Sequence, residues 1–339
     1  MVTLVTGGAG FIGGHLVERL AKKGEKVRCL VKKDSDTSNL QRLKAEIIYG
    51  DIRDVQSIKS AMKGVDKVYH LAAIARMYAG LKPSDYQAIN VDGTRNVLEA
   101  CRDSDVNHVV YTSSTEAVGP SPDGKPLTEE SECRPQTLYG ESKLGGEKVC
   151  KEYYEKYRLP VTVVRPPMIY GPGNILHLSR LFKVVKSGIY PVIGDGNSFM
   201  EFCYVGNEAQ GINLAGESKK SIGRTYFISD ERSYTVTEIL KAIAEAEGVK
   251  LRILHMPVAA GNAVGLTFEG LSKVFRFWPF TIKETGRPVF SRNTVKWTTH
   301  NTWFVSTERA KKELGYRPET PLKEGVKKTV DWYRSIGAL

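Results

Sequence analysis

A run of glycines set between a strand and a helix constrains this chain more than any other feature. Val2–Thr6 is an apolar, β-rich run, and Leu16, Val17 and Leu20 then recur at helical spacing. Between them lies Thr6-Gly7-Gly8-Ala9-Gly10-Phe11-Ile12-Gly13. Gly8, Gly10 and Gly13 satisfy GxGxxG, while Gly7, Gly10 and Gly13 satisfy GxxGxxG. Glycine here lets backbone approach a pyrophosphate and lets the helix pack closely on the strand. The helix N-terminus then directs unpaired N–H groups at the phosphates. A Gly-rich turn alone is weak evidence for a dinucleotide. One that opens a series of strand–helix units is strong.

Such a series follows. Residues 27–31, 46–49, 67–71, 108–112 and 161–165 read as strands, and 55–62, 91–101 and 139–157 as helices. The alternation predicts an α/β fold, a Rossmann-type doubly wound parallel sheet covered on both faces. After Pro172 the pattern loosens. Residues 176–185 are helix-like, 193–197 are Gly-rich, and 235–247 form an amphipathic helix opening at Thr235 or Thr237. The stretch 257–290 is rich in Gly, Phe, Trp and Pro, with weak periodicity. The expected division is a dinucleotide-binding domain over 1–171 and a smaller, mainly substrate-binding α/β region over 172–339. Some segments of the second are expected to return to the first.

Composition narrows the class further. Of 339 residues, 41% are hydrophobic and 26% charged, the balance of a globular chain and not of a disordered or fibrous one. No run approaches the ~18 consecutive apolar residues of a membrane span. A strand that starts at Val2 leaves no room for a signal peptide. Cys29, Cys101, Cys133, Cys150 and Cys203 are scattered without a CxxC pair, which suits core thiols in a reducing cytoplasm. No metal site is expected. The 49 Lys+Arg against 38 Asp+Glu leave +11, a charge that suits nucleic acid, an anionic membrane surface or an anionic cofactor.

Tyr139 and Lys143 lie four residues apart, on one face of a predicted helix. Tyrosine is a poor base at its free pKa of ~10. A neighbouring cation stabilises the phenolate and brings it toward acid–base work near neutrality. Upstream, the strand at 108–112 runs into Ser113, Ser114 and Thr115, at the carboxyl end where a parallel sheet carries its chemistry. His70-Leu71-Ala72-Ala73 and Arg165-Pro166-Pro167 fall at other strand ends, and Asn90 begins a helix. Lys32 and Lys33 end the second strand, where the ribose is read. Lysine there meets a 2′-phosphate and favours NADP(H) over NAD(H), although two solvated lysines would look the same. Asp51-Ile52 after the third strand fits an adenine-edge contact, as it also fits an acidic turn.

TGGAGFIG, GDIRD, HLAA, NVDGT, YTSS, YGESK and RPPMIYGPG occur in this order along nearly the whole chain. In these motifs and their spacing the chain resembles the extended short-chain dehydrogenase/reductases, the superfamily of NAD-dependent epimerases and dehydratases. The resemblance implies that Tyr139 is the acid–base, that Lys143 binds nicotinamide ribose and lowers the tyrosine pKa, and that Ser114 hydrogen-bonds the substrate oxygen. It implies a bound NAD(P) near Gly7, Gly10, Phe11, Ile12, Gly13, Lys32, Asp51 and Ile52. Leu71, Ala72, Ala73, Thr112, Tyr139, Lys143 and Pro166 complete that contact set, with Asn90 supporting the site. It also implies a homodimer built on the helices at 91–101 and 139–157.

These residues do not separate a dehydrogenase from an epimerase or dehydratase, which returns the hydride to the same molecule. The substrate side does. Sugar-nucleotide enzymes often carry an Asn where this chain has Met168, and an Arg where it has Met200, followed by Glu201. Loss of that Arg removes positive charge where a diphosphate would sit, although Lys183, Lys186 or Lys296 could substitute. RPPMIYGPG, Trp303-Phe304-Val305-Ser306 and 310–314 are closer in pattern to the 3β-hydroxysteroid dehydrogenase and dihydroflavonol reductase branch. Glu116 matches the catalytic Glu of 4,6-dehydratases, but Thr115 replaces their preceding Asp. In 271–282, Phe275, Phe277, Trp278 and Phe280 mix with Lys273 and Arg276, as in a lid over an apolar substrate, a membrane contact or a packed core. The expectation is an NAD(P)-dependent oxidoreductase interconverting a secondary alcohol and ketone of a steroid- or lipid-like substrate. A nucleotide-sugar epimerase or dehydratase is the alternative, and an idle dinucleotide-binding regulator a third. Nothing resembles a nucleic-acid module. The surplus charge is then mostly solvated surface, with weak attraction to a membrane surface left open.

Overall fold

A computed structural model describes residues 1–339 apart from 76–80, 176–177, 275–280, 283–286, 289 and 300–302. Phe275, Arg276, Phe277, Trp278 and Phe280 therefore lie outside the described residues, as do the side chains of Lys273 and Lys296.

The strands are β1 (Val2–Thr6), β2 (Lys26–Val31), β3 (Glu46–Tyr49), β4 (Lys67–His70), β5 (His108–Thr112), β6 (Val161–Arg165) and β7 (Thr225–Phe227). They form one seven-stranded sheet in the order β7-β6-β5-β4-β1-β2-β3, every pair parallel. Because side chains alternate along a strand, neighbouring residues feed opposite faces. Leu4, Val109 and Val163 enter one core with α2 (Val55–Met62), α3 (Gly93–Asp103) and α4 (Leu138–Tyr157). Val5, Val110 and Val164 enter the other, with α1 (Phe11–Lys22) and α5 (Val205–Glu217). This is the doubly wound Rossmann-type sheet. The chain passes from β1 to β2 on one side and to β4 on the other, so the crevice that binds ligands opens at the carboxyl end of β1.

A second core gathers Tyr170, Phe182, Phe202, Ile239, Ile243, Val330 and Tyr333. It is built from Ser179–Lys186, α6 (Val236–Glu247) and α8 (Leu322–Ser335), and α7 (Val258–Val274) lies alongside, with Gly261 against Ile193. Two-stranded parallel pairs, Ile189–Ile193 with Arg252–Met256 and Met168–Tyr170 with Phe202–Tyr204, complete it. Thr235 caps α6: its hydroxyl accepts from the Glu238 N–H, while the Glu238 carboxylate accepts from the Thr235 N–H. Such a reciprocal cap fixes the start at Thr235 and not Thr237. Phe11 and Ile12 pack against this second core, and the His15 ring donates from Nε2 to the Pro172 carbonyl at 2.8 Å. The two regions thus meet at the first turn of α1. No described helix is long and apolar enough to cross a membrane.

Candidate active site

The residues singled out at the ends of β1–β6 converge on one edge of the sheet. Gly7 adopts φ +75°, and a Cβ there would lie 2.8 Å from the Ala72 nitrogen. A Cβ on Gly13 would lie 2.1 Å from the Gly7 carbonyl oxygen. The Gly10 N–H closes the loop on that same carbonyl at 2.9 Å. Gly10 caps α1 without a side-chain bond, and the first turn holds no acidic residue. The leading N–H groups of Phe11 and Ile12 thus have no built-in acceptor from a capping side chain, as an anion site requires. At the end of β5, the buried Thr112 Oγ1 has no hydrogen-bond partner among the described residues. Cradle, helix end and orphan hydroxyl fit a dinucleotide.

Lys32 and Lys33 are exposed at the end of β2. Asp51 is committed to Arg53, which donates from Nε at 3.1 Å and Nη2 at 2.8 Å and holds the carboxyl below its ordinary pKa. Ile52 is buried against Gly93, and its carbonyl accepts from Asn96. Leu71 donates its N–H to the Thr6 carbonyl at 3.1 Å, extending the β1–β4 register into Leu71-Ala72-Ala73. The Pro166 carbonyl accepts from the Thr115 N–H at 2.8 Å and fixes the turn after β5.

Ser114, Tyr139 and Lys143 come together where β5 ends and α4 begins. Thr137 caps α4 by accepting from the Gly140 N–H at 3.0 Å. Its own hydroxyl donates to Glu116 Oε2 at 2.6 Å. Glu116, the residue in register with the dehydratase acid, therefore anchors the cap of this helix. Ser114 accepts from the Glu116 N–H at 3.1 Å and hydrogen-bonds the Tyr139 phenol. Burial pushes the Tyr139 phenol well above its ordinary pKa and the Glu116 charge adds to this, against the bond from Ser114. Tyr139 is thus held as a neutral phenol, able to donate a proton. The lowering that a cation would bring is not among the influences on it. Burial draws Lys143 down to about 8, with Glu147 and Cys150 opposing. Its Nζ lies 4.4 Å from the centroid of the Tyr111 ring.

A hydrogen-bond chain ties this pair to the glycine loop. The Thr94 hydroxyl donates to the Asn90 carbonyl, so it must accept from His70 Nε2 at 3.0 Å. Burial draws the His70 imidazole down to about 3. It is neutral, with the proton on Nε2, and Nδ1 accepts from the Thr6 hydroxyl at 2.7 Å. Thr6 in turn accepts from the Ala72 N–H. The Asn90 amide brackets Ile74, accepting from its N–H at 2.8 Å and donating to its carbonyl, and also donates to Ser142 at 2.8 Å. Ser142 donates to the Tyr139 carbonyl. Asn90 sits in a π-helical turn, Gln87–Asp92, an irregularity that recurs at functional sites.

Sequence reasoning reached Asn90 and His70 but not Thr94, Ser142 or Thr137, whose partners are distant in the chain. It also missed Glu147, which accepts from Ser113 and from Arg165 at 2.9 and 2.7 Å and locks α4 to β6. The one available signal was spacing: Glu147 follows Lys143 by four residues, one helical turn.

On the substrate side, Met168 is 45% exposed. Met200 pairs with Tyr234 and Trp303. Glu201 beside it is buried and accepts from Ser229, Ser233 and the Val305 N–H. Burial raises its pKa.

A Rossmann-type sheet with a pyrophosphate cradle and an adjoining Ser-Tyr-Lys cluster defines a dinucleotide-dependent oxidoreductase. Residues 3–229 match the NAD dependent epimerase/dehydratase family, and the chain belongs to it. It is 30% identical over 351 residues to sterol demethylase protein B of Methylococcus capsulatus, each chain covered in full. It is 28% identical over 331 residues to 4-hydroxy-2-methyl-3-oxo-4-farnesyl-3,4-dihydroquinoline-1-oxide ketoreductase of Stigmatella aurantiaca, covering 96% of this chain and 95% of the relative. Its fold matches the UDP-glucose 4-epimerase of Thermus thermophilus, solved in complex with NAD, at a TM-score of 0.74 and 26% identity over 98% and 99% of the two chains. The protein is an NAD(P)-dependent enzyme of the extended short-chain dehydrogenase/reductase type.

Proposed function

We propose that this enzyme interconverts a secondary alcohol and a ketone on an apolar, steroid- or lipid-like substrate, with Tyr139 as acid–base. The buried Glu201 beside Met200 carries this reading. In the register of the resemblance, Met200 followed by Glu201 stands where sugar-nucleotide enzymes carry the Arg that holds the diphosphate, so no guanidinium is offered there. The names of the sterol and farnesyl-quinoline relatives point the same way.

NAD(P), when bound, would supply or accept the hydride at the substrate carbon. Ser114 and the Tyr139 phenol hold the substrate oxygen, and Tyr139 Oη gives or takes its proton. Lys143, cationic below about pH 8, would hold the nicotinamide ribose beside that phenol. The glycine loop and the start of α1 would hold the pyrophosphate, and the exposed Lys32 and Lys33 would favour a 2′-phosphate, hence NADP(H). Within the chain α3 and α4 are joined by Arg95 with Glu152 and by Tyr153 with Glu99. The homodimer that the resemblance implies would use these two helices.

Purified protein incubated with NADPH and a panel of apolar ketones is expected to consume NADPH and yield the alcohol. Turnover of a UDP- or dTDP-sugar without net change in cofactor would refute the reductase reading in favour of an epimerase or dehydratase. Tyr139→Phe is expected to lower kcat by about 10²–10⁴-fold with unchanged cofactor affinity in fluorescence titration. Retained turnover would remove the role given to Tyr139.

A further inference from the structure

The helix α7 has an outward face unlike that of other surface helices. Its inward positions are small: Gly261 packs on Ile193 and Val295, and Gly265 lies against the backbone of Arg292. Ala259, Ala260, Ala263, Val264, Leu266 and Thr267 are exposed, Val264 by 37% and Leu266 by 56%. No charged residue occurs between positions 258 and 268. An ordinary surface helix turns charged and polar residues to water. On the neighbouring strand, Leu254 is also exposed.

Charge distribution says what covers this face. Residues 248–268 contain two cations, Lys250 and Arg252, and no Asp or Glu. Lys250 and Arg252 stand exposed just ahead of α7. A second copy of the chain would bring the same two cations against themselves, which opposes pairing through this surface. An anionic bilayer is complementary on both counts, taking the apolar face into the headgroup–acyl boundary and the cations among the headgroups.

We propose that α7 docks the enzyme peripherally on anionic lipid surfaces, with the exposed face of residues 259–267 entering the bilayer interface. This holds whatever the substrate proves to be.

The test is co-sedimentation of the full chain with vesicles of phosphatidylglycerol and phosphatidylcholine in equal parts, against phosphatidylcholine alone. Binding to the anionic vesicles is expected to be at least about tenfold tighter. It is expected to weaken at about 1 M salt, where the Debye length falls to ~3 Å. Val264→Glu with Leu266→Glu is expected to lower binding by about tenfold or more. Lys250→Glu with Arg252→Glu is expected to lower it only at low salt. Circular dichroism, unfolding temperature and NAD(P)H affinity, which should match the unaltered protein, verify that both variants fold. Failure of the folded native chain to bind anionic vesicles would overturn the proposal, as would undiminished binding by the Glu variants. So would light scattering that shows a dimer dissociated by those substitutions, because the face would then join two copies.

Discussion

Lys143 is only 2% exposed, packed over the Tyr111 ring, and burial draws its pKa from 10.5 to about 8. Between these values the unfolded chain holds a proton that the folded protein has released. Stability therefore rises with pH across that window, and the cost of the buried cation is felt in full below about pH 8. Lys143→Met is expected to raise the stability at pH 7 by on the order of 3 kcal/mol while abolishing turnover. It should also flatten the stability rise between pH 8 and 10.5, measured by denaturant unfolding at a series of pH values. An unchanged slope would mean that Lys143 titrates normally in the fold. The pair Tyr139 and Lys143 was legible because both members lie on one helical turn. The neutral tautomer of His70 was not, since its partners Thr6 and Thr94 stand 64 and 24 residues away.

The helix α4 shows how much of the site's geometry rests on absent side chains. A Cβ at Gly146 would lie 2.1 Å from the Tyr111 hydroxyl, and one at Gly140 would lie 2.3 Å from the Glu116 carbonyl oxygen. Gly146→Ala is expected to destabilise the protein by about 1–3 kcal/mol, although alanine favours a helix by ~1 kcal/mol. Tyr111→Phe removes the obstructing oxygen and is expected to recover part of that loss in a double-mutant cycle of denaturant midpoints. Additive costs would show that the two positions do not collide. Helices with a polar face, such as α1 and α3, announce their period in the sequence. The weak periodicity over 257–290 hid α7 because Ala, Gly, Val and Leu occupy both its inward and outward sides, leaving no polar stripe to count. Strands buried on both faces were legible as short apolar runs instead, and β7 was missed because it has only three residues, Thr225–Phe227.

Across the whole molecule, the first turn of α1 serves both the cofactor cradle and the second core, through Phe11, Ile12 and the bond from His15 to Pro172. Cofactor held there is expected to stabilise the two regions as one. NADPH at 100 times its Kd should raise the unfolding free energy by about 2.7 kcal/mol, seen calorimetrically as one transition displaced upward. Two transitions, of which only one moves, would separate the regions. Lys32→Asp is expected to shrink the displacement by NADPH far more than that by NADH, and equal losses would remove the case for a 2′-phosphate contact. Loops of such a molecule can change length without disturbing the sheet. The π-turn over Gln87–Asp92 cannot. It holds one residue more than an α-turn, so deleting one would rotate the preceding segment by about 100° against α3. Asn90 could not then reach both Ile74 and Ser142. Removing that one residue would unhook the Tyr139 helix from the segment that follows β4.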